Sequence, residues 1–94
     1  MPKEADALHF VIYSRSYCHL CDDMRDALIA ALGDIPAGVE MVDVDADAAL
    51  VEQYDELVPV LLASRNGAPA VRLCHYHLDA QRLATFLAGG DSGA

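Results

Sequence analysis

Two cysteines three positions apart, Cys18 and Cys21, fall where the chain changes its hydrophobic periodicity, and this placement constrains the fold more than any other feature. Before them, Leu8-His9-Phe10-Val11-Ile12-Tyr13 is a short apolar run rich in β-branched and aromatic residues, which reads as a buried strand. After them, Met24, Ala27-Leu28 and Ala31-Leu32 recur at helical spacing. Gly33 then supplies a C-cap and Pro36 bars continuation. The pair therefore sits at a strand–helix junction, with Cys18 at the helix start and Cys21 about one turn later. At that spacing both sulfurs come within disulfide reach.

The remaining elements follow the same logic. Val39 to Val44 alternates as a second strand, and Ala46 to Tyr54 is a short helix with Leu50, Val51 and Tyr54 on one side. Val58-Pro59-Val60-Leu61-Leu62-Ala63 is a third strand, its proline near the start where a missing donor is tolerated. Arg65-Asn66-Gly67 is a turn signal, after which Ala70 to Leu73 returns as a fourth strand. Asp79 caps a last helix whose inward stripe is Leu83, Phe86 and Leu87. The order is β-α-β-α-β-β-α. Strands separated by helices want parallel pairing with right-handed crossovers, and the closing hairpin adds an antiparallel pair. The expected class is α/β, a four-stranded mixed sheet flanked by helices.

Ninety-four residues with 54% hydrophobic content supply one compact core and one domain, 1–94, with the core over about 8–87 and flexible ends at 1–7 and 89–94. Fifteen acidic against six basic residues give a net charge of −9, which argues against a nucleic-acid footprint. Met1 to Ala7 is polar and acidic, so no signal peptide is read, and no apolar stretch approaches a membrane span. Three cysteines are too few and too odd for a disulfide-stapled secreted domain. A reducing cytoplasm is the expected compartment, and a monomer the expected state.

Three chemistries are open to the cysteine pair. In the first, Cys18 is a nucleophile for thiol–disulfide exchange: unpaired N–H groups and the positive helix end favour a thiolate, and Cys21 resolves the mixed disulfide. Arg15 and a protonated His19 would favour that thiolate, whereas Asp22 and Asp23 oppose it. In the second, Cys18, Cys21, Cys74 and a histidine such as His77 form a zinc or copper site, since Cys74-His75-Tyr76-His77 supplies further soft and borderline ligands. In the third, the cysteines are small buried residues of a turn and the chain is a redox-inert binding protein.

The strand, CxxC helix, strand, helix and "Val-Pro-Val" hairpin, from about Leu8 to Leu87, resemble the thioredoxin superfamily. Tyr13-Ser14-Arg15-Ser16-Tyr17-Cys18-His19-Leu20-Cys21 is similar to a glutaredoxin active-site segment. "CHLC" with "VDVDAD" and "VPVL" looks like the small bacterial glutaredoxin-like proteins grouped as a domain of unknown function. This resemblance implies a disulfide oxidoreductase with no bound cofactor, acting on a protein disulfide or a glutathione mixed disulfide, with glutathione as reductant or co-substrate. It implies a third strand antiparallel to a parallel first pair. It also implies a cis Val58-Pro59 bond facing the cysteines, with the Val58 backbone pairing with substrate. Arg15 falls where glutaredoxins hold a glutathione carboxylate, and Tyr17, His19 and Leu20 complete the expected substrate surface. Leu20 adds an apolar patch suited to a protein disulfide. The chain departs from the glutaredoxin pattern at His19-Leu20 in place of Pro-Tyr and at Leu57 in place of Thr. It departs again at Cys74-His75-Tyr76-His77, where a Gly-Gly pair is usual.

Overall fold

The computed structural model describes residues 7–15, 18–54 and 56–89. Its elements are β1 (Leu8–Ser14), α1 (His19–Leu32), β2 (Gly38–Asp43), α2 (Ala48–Tyr54), β3 (Val60–Arg65), β4 (Val71–His75) and α3 (Ala80–Leu87). The strands form one mixed sheet in the order β2-β1-β3-β4. β1 runs parallel to β2, with Phe10 opposite Val39 and Tyr13 opposite Val42, and antiparallel to β3, with Ile12 opposite Leu61. β3 and β4 pair antiparallel with an irregularity between Leu61 and Leu62. Residues 1–6 and 90–94, where flexible ends are expected, lie outside the described residues.

One face of the sheet carries the core. Phe10 and Ile12 from β1, Leu61 and Ala63 from β3 and Leu73 from β4 pack with Met24, Leu28 and Leu32 of α1 and with Leu83 and Phe86 of α3. The α1 positions lie four apart, so one stripe of the helix is buried. Phe10 and Phe86 meet edge to face, with centroids 5.9 Å apart. Burying each large side chain of this cluster contributes about 1.5–3 kcal/mol. The opposite face takes α2, where Tyr54 stacks on Tyr13 at 4.7 Å.

The helix ends follow from local chemistry. Gly33 ends α1 at φ 56°, a left-handed conformation that glycine adopts without a Cβ penalty, and its N–H donates to Ile29. Asp79 caps α3 by accepting the N–H groups of Gln81 and Arg82 at 3.1 and 3.0 Å. The expected helix over Ala46–Tyr54 is instead two pieces. A 3₁₀ turn spans Val44–Ala46, extended Asp47 interrupts it, and α2 begins at Ala48. Asp43 accepts the Asp45 N–H and Asp47 accepts the Ala49 N–H, both at 2.9 Å. Short acidic side chains prefer these capping bonds to a helix interior.

Strand boundaries differ as well: β1 runs on to Ser14, and β2 covers Gly38–Asp43 rather than Val39–Val44, since Val44 enters the 3₁₀ turn. β3 starts at Val60 rather than Val58, and β4 runs over Val71–His75, which brings Cys74 and His75 into the sheet. Pairing partners set these limits: Val60 is the residue opposite both Tyr13 and His75. Beyond His75 the chain turns sharply. Tyr76 has φ 66°, and the His77 N–H donates to the His75 carbonyl at 2.7 Å across it. A bulky residue in this left-handed region costs about 1–3 kcal/mol.

A cysteine pair at the start of the first helix

β1 ends at Ser14, whose Oγ donates to the Val42 carbonyl at 3.4 Å and whose side chain is buried. The chain then reaches Cys18, the N-cap of α1, with extended backbone at φ −107° and ψ 103°. Its Sγ accepts the backbone N–H of Cys21 at 3.1 Å, the bond a serine or aspartate makes at the same position. The Cys18 carbonyl accepts the N–H of Asp22 and so begins the helix ladder. Cys18 and Cys21 are joined as a disulfide, with their Cα atoms 5.3 Å apart. The two sulfurs are not equivalent. Cys21 is 1% exposed, whereas Cys18 is only half-buried.

Cys18, Cys21 and His19 share a pocket of about 360 Å³ with Ser14, Arg15, Asp22 and Met41. Arg15 is thus beside the cysteines, and its guanidinium meets Asp45 with N–O distances of 2.8 and 3.4 Å. Leu20 is 39% exposed on the first turn of α1. Tyr17 lies outside the described residues. The Val58–Pro59 bond is cis, Val58 is partly buried and Pro59 is buried. Because Val60 pairs with Tyr13, this segment reaches the end of the sheet at which β1 leads to Cys18.

The four-ligand metal alternative is not assembled. Cys74 and His77 line a separate pocket of about 810 Å³ with His75, Asp79 and two arginines. Cys18 and Cys21 start α1 after β1, whereas Cys74 lies in β4, and β3 stands between those two strands. Among the described residues, no three His, Cys, Asp or Glu side chains converge as a metal-binding group. The Cys74 sulfur instead accepts the N–H of Asp79 at 3.4 Å. Burial pushes its thiol pKa up, and the Asp79 carboxylate adds to this, while the Asp79 N–H and Arg82 pull the other way.

Two neighbours of the pair escape sequence reasoning. Met41 sits opposite Ile12 in the β1–β2 register, and only its alternation with Val39 hints at an inward position. Asp45 reaches Arg15 across thirty positions of chain, and its acidic segment carries no local sign of that partner.

A four-stranded mixed sheet with a cysteine pair at the β1–α1 junction defines a thioredoxin-fold protein. The Glutaredoxin-like domain (DUF836) family matches residues 9–88, and the chain belongs to that family. The solution structure of a Nitrosomonas europaea protein is 30% identical, with a TM-score of 0.78 over 92% of this chain and 98% of that one. An X. campestris protein is 32% identical, with a TM-score of 0.61 over 85% of this chain and 96% of that one. Fasciola hepatica thioredoxin shares the fold at 18% identity, with a TM-score of 0.63 over 90% and 82% of the two chains. No curated protein matches the chain. Among the described residues, no helix is long and apolar enough to cross a membrane.

Proposed function

We propose that this chain is a glutaredoxin-like thiol–disulfide oxidoreductase in which Cys18 is the nucleophile and Cys21 the resolving thiol. The observation that carries the reading is the asymmetry of the pair. The Cys18 sulfur is partly exposed and receives an N–H at the positive end of α1, while Cys21 is buried behind it. In the reduced protein that N–H and the helix dipole favour the Cys18 thiolate, the reactive species in exchange. The Cys18 thiolate attacks one sulfur of a substrate disulfide, and the other sulfur leaves as a thiolate. The Cys21 thiolate then attacks Cys18 Sγ, forming the Cys18–Cys21 disulfide and releasing the second substrate thiol. Two electrons pass to the substrate. Glutathione or another dithiol returns them, with no bound cofactor.

The substrate is a protein disulfide or a glutathione mixed disulfide, met by a monomer in a reducing cytoplasm. Arg15, Tyr17, His19, Leu20, Val58 and Pro59 form the substrate surface in this reading.

Disulfide reduction by wild type, Cys18→Ser and Cys21→Ser tests the assignment. Serine is a good N-cap, so Cys18→Ser keeps the helix start and separates chemistry from folding. Its rate is expected to fall to background. Cys21→Ser is expected to form the first mixed disulfide and stall, which mass spectrometry detects as a covalent adduct on Cys18. Equal rates for wild type and Cys18→Ser would sink the reading.

A further inference from the structure

Tyr76 is the one bulky residue outside the hairpin turn with left-handed backbone among the described residues. Strained backbone in an ordered place points to a role, because an unconstrained chain relaxes it. Tyr76 is constrained at two points, and both contacts go to the same short connection. Its N–H donates to the Pro59 carbonyl at 2.8 Å, and its hydroxyl donates to the Glu56 carbonyl at 2.6 Å. The two bonds bracket Leu57 and Val58. The His75 and Tyr76 rings meet edge to face with centroids 4.6 Å apart, while Tyr76 stays 43% exposed.

The sheet register places this strap. His75 pairs with Val60, and Val60 pairs with Tyr13, two residues before Arg15 of the cysteine pocket. Tyr76 and the 56–59 connection therefore lie at the sheet end where β1 leads into the Cys18–Cys21 junction. Without Tyr76 these two carbonyls lose the bonds that tie the 56–59 connection to the end of β4.

We propose that Tyr76 is a positioning residue of the exchange site: it clamps residues 56–59 so that the Val58 backbone is presented to an extended protein segment carrying the target disulfide. This rests on the oxidoreductase reading above and deepens it by naming a protein chain, rather than a small disulfide, as the substrate that feels the clamp. A small disulfide reaches Cys18 without lying along residues 56–59.

The test is a steady-state comparison with dithiothreitol as electron donor, using insulin as the protein disulfide and hydroxyethyl disulfide as the small one. Tyr76→Phe removes only the hydroxyl bond. It is expected to raise KM for insulin about three- to ten-fold, the effect of one hydrogen bond. The kcat for insulin, the KM for hydroxyethyl disulfide and the Cys18–Cys21 reduction potential should stay at wild-type values. Tyr76→Gly relieves the left-handed backbone, which offsets part of what the lost ring and hydroxyl bond cost in stability, and it should raise the insulin KM further. A wild-type insulin KM in either variant, or an equal rise for both disulfides, overturns the role of Tyr76 alone. A wild-type chain with no turnover on either disulfide overturns the oxidoreductase reading itself, and the role of Tyr76 with it.

Discussion

The guanidinium of Arg15 is held by the carboxylate of Asp45, with Nη2 and Oδ1 2.8 Å apart, across the junction of the first two strands. Arg15 borders the cysteine pocket, so a carboxylate arriving there must compete with one already in place.

Asp45→Asn should therefore lower the KM for glutathione in a coupled assay by about two- to five-fold, since a part-exposed ion pair is worth less than about 1 kcal/mol. Both side chains are about two-fifths exposed, at 37% and 43%, so the change in stability should be equally small. Urea denaturation and glutathione titration together check this. An unchanged KM would mean that Asp45 does not restrain Arg15 toward ligands.

Asp79→Ala removes the acceptor of two N–H groups at the start of α3. A lost N-cap costs about 1 kcal/mol, with an upper limit near 2. For a domain of this size that lowers Tm by about 4–8 °C per kcal/mol. Asp79→Ser should recover most of the loss. Disulfide reduction at 25 °C should not change, because α3 contributes no residue to the cysteine pocket. Thermal unfolding followed by circular dichroism decides it.

Cys74 is expected to lag behind Cys18 in alkylation of the reduced protein near neutral pH, because burial raises its pKa and keeps it a thiol. The sign for stability follows from the same shift. The folded value lies above the unfolded one, so its contribution is fully present below the unfolded pKa. It is lost as pH rises through the folded pKa, from about pH 8.5 upward. Denaturation midpoints measured across that range should decline more steeply for wild type than for Cys74→Ser. Parallel curves would show that the thiol carries no such linkage.

Much of this architecture is legible in the chain because local chemistry and global packing agree. The α1 stripe of Met24, Leu28 and Leu32, the Gly33 stop, the Asp79 cap and the Asn66-Gly67 turn are short-range signals, and each sits where its own physics places it. The features that sequence reasoning misplaces are set at long range. β3 begins at Val60 because that residue is the last to find partners on both sides, not because Val58 or Pro59 lacks strand character. Cys74 and His75 belong to β4 for the same reason. Asp47 divides the expected helix because its carboxylate has an N–H to cap, a competition that hydrophobic spacing does not register. Tyr76 leaves no trace at all: a tyrosine is not a turn residue, and its left-handed backbone is visible only once Glu56 and Pro59 are beside it. The cysteine junction itself is readable, whereas the partners of Arg15 and the strap on residues 56–59 are properties of the assembled sheet.

The chain contains no tryptophan, so its redox state has no indole emission to report it. The N-cap of α1 offers a built-in gauge instead. The Cys21 amide points at the Cys18 sulfur, which in the proposed cycle is successively a disulfide, a mixed disulfide and a thiolate. Acceptor strength changes with each of these states, and the proton and nitrogen frequencies of that single amide change with it. An unlabelled side chain and one backbone resonance would then follow the electron count of the protein in real time.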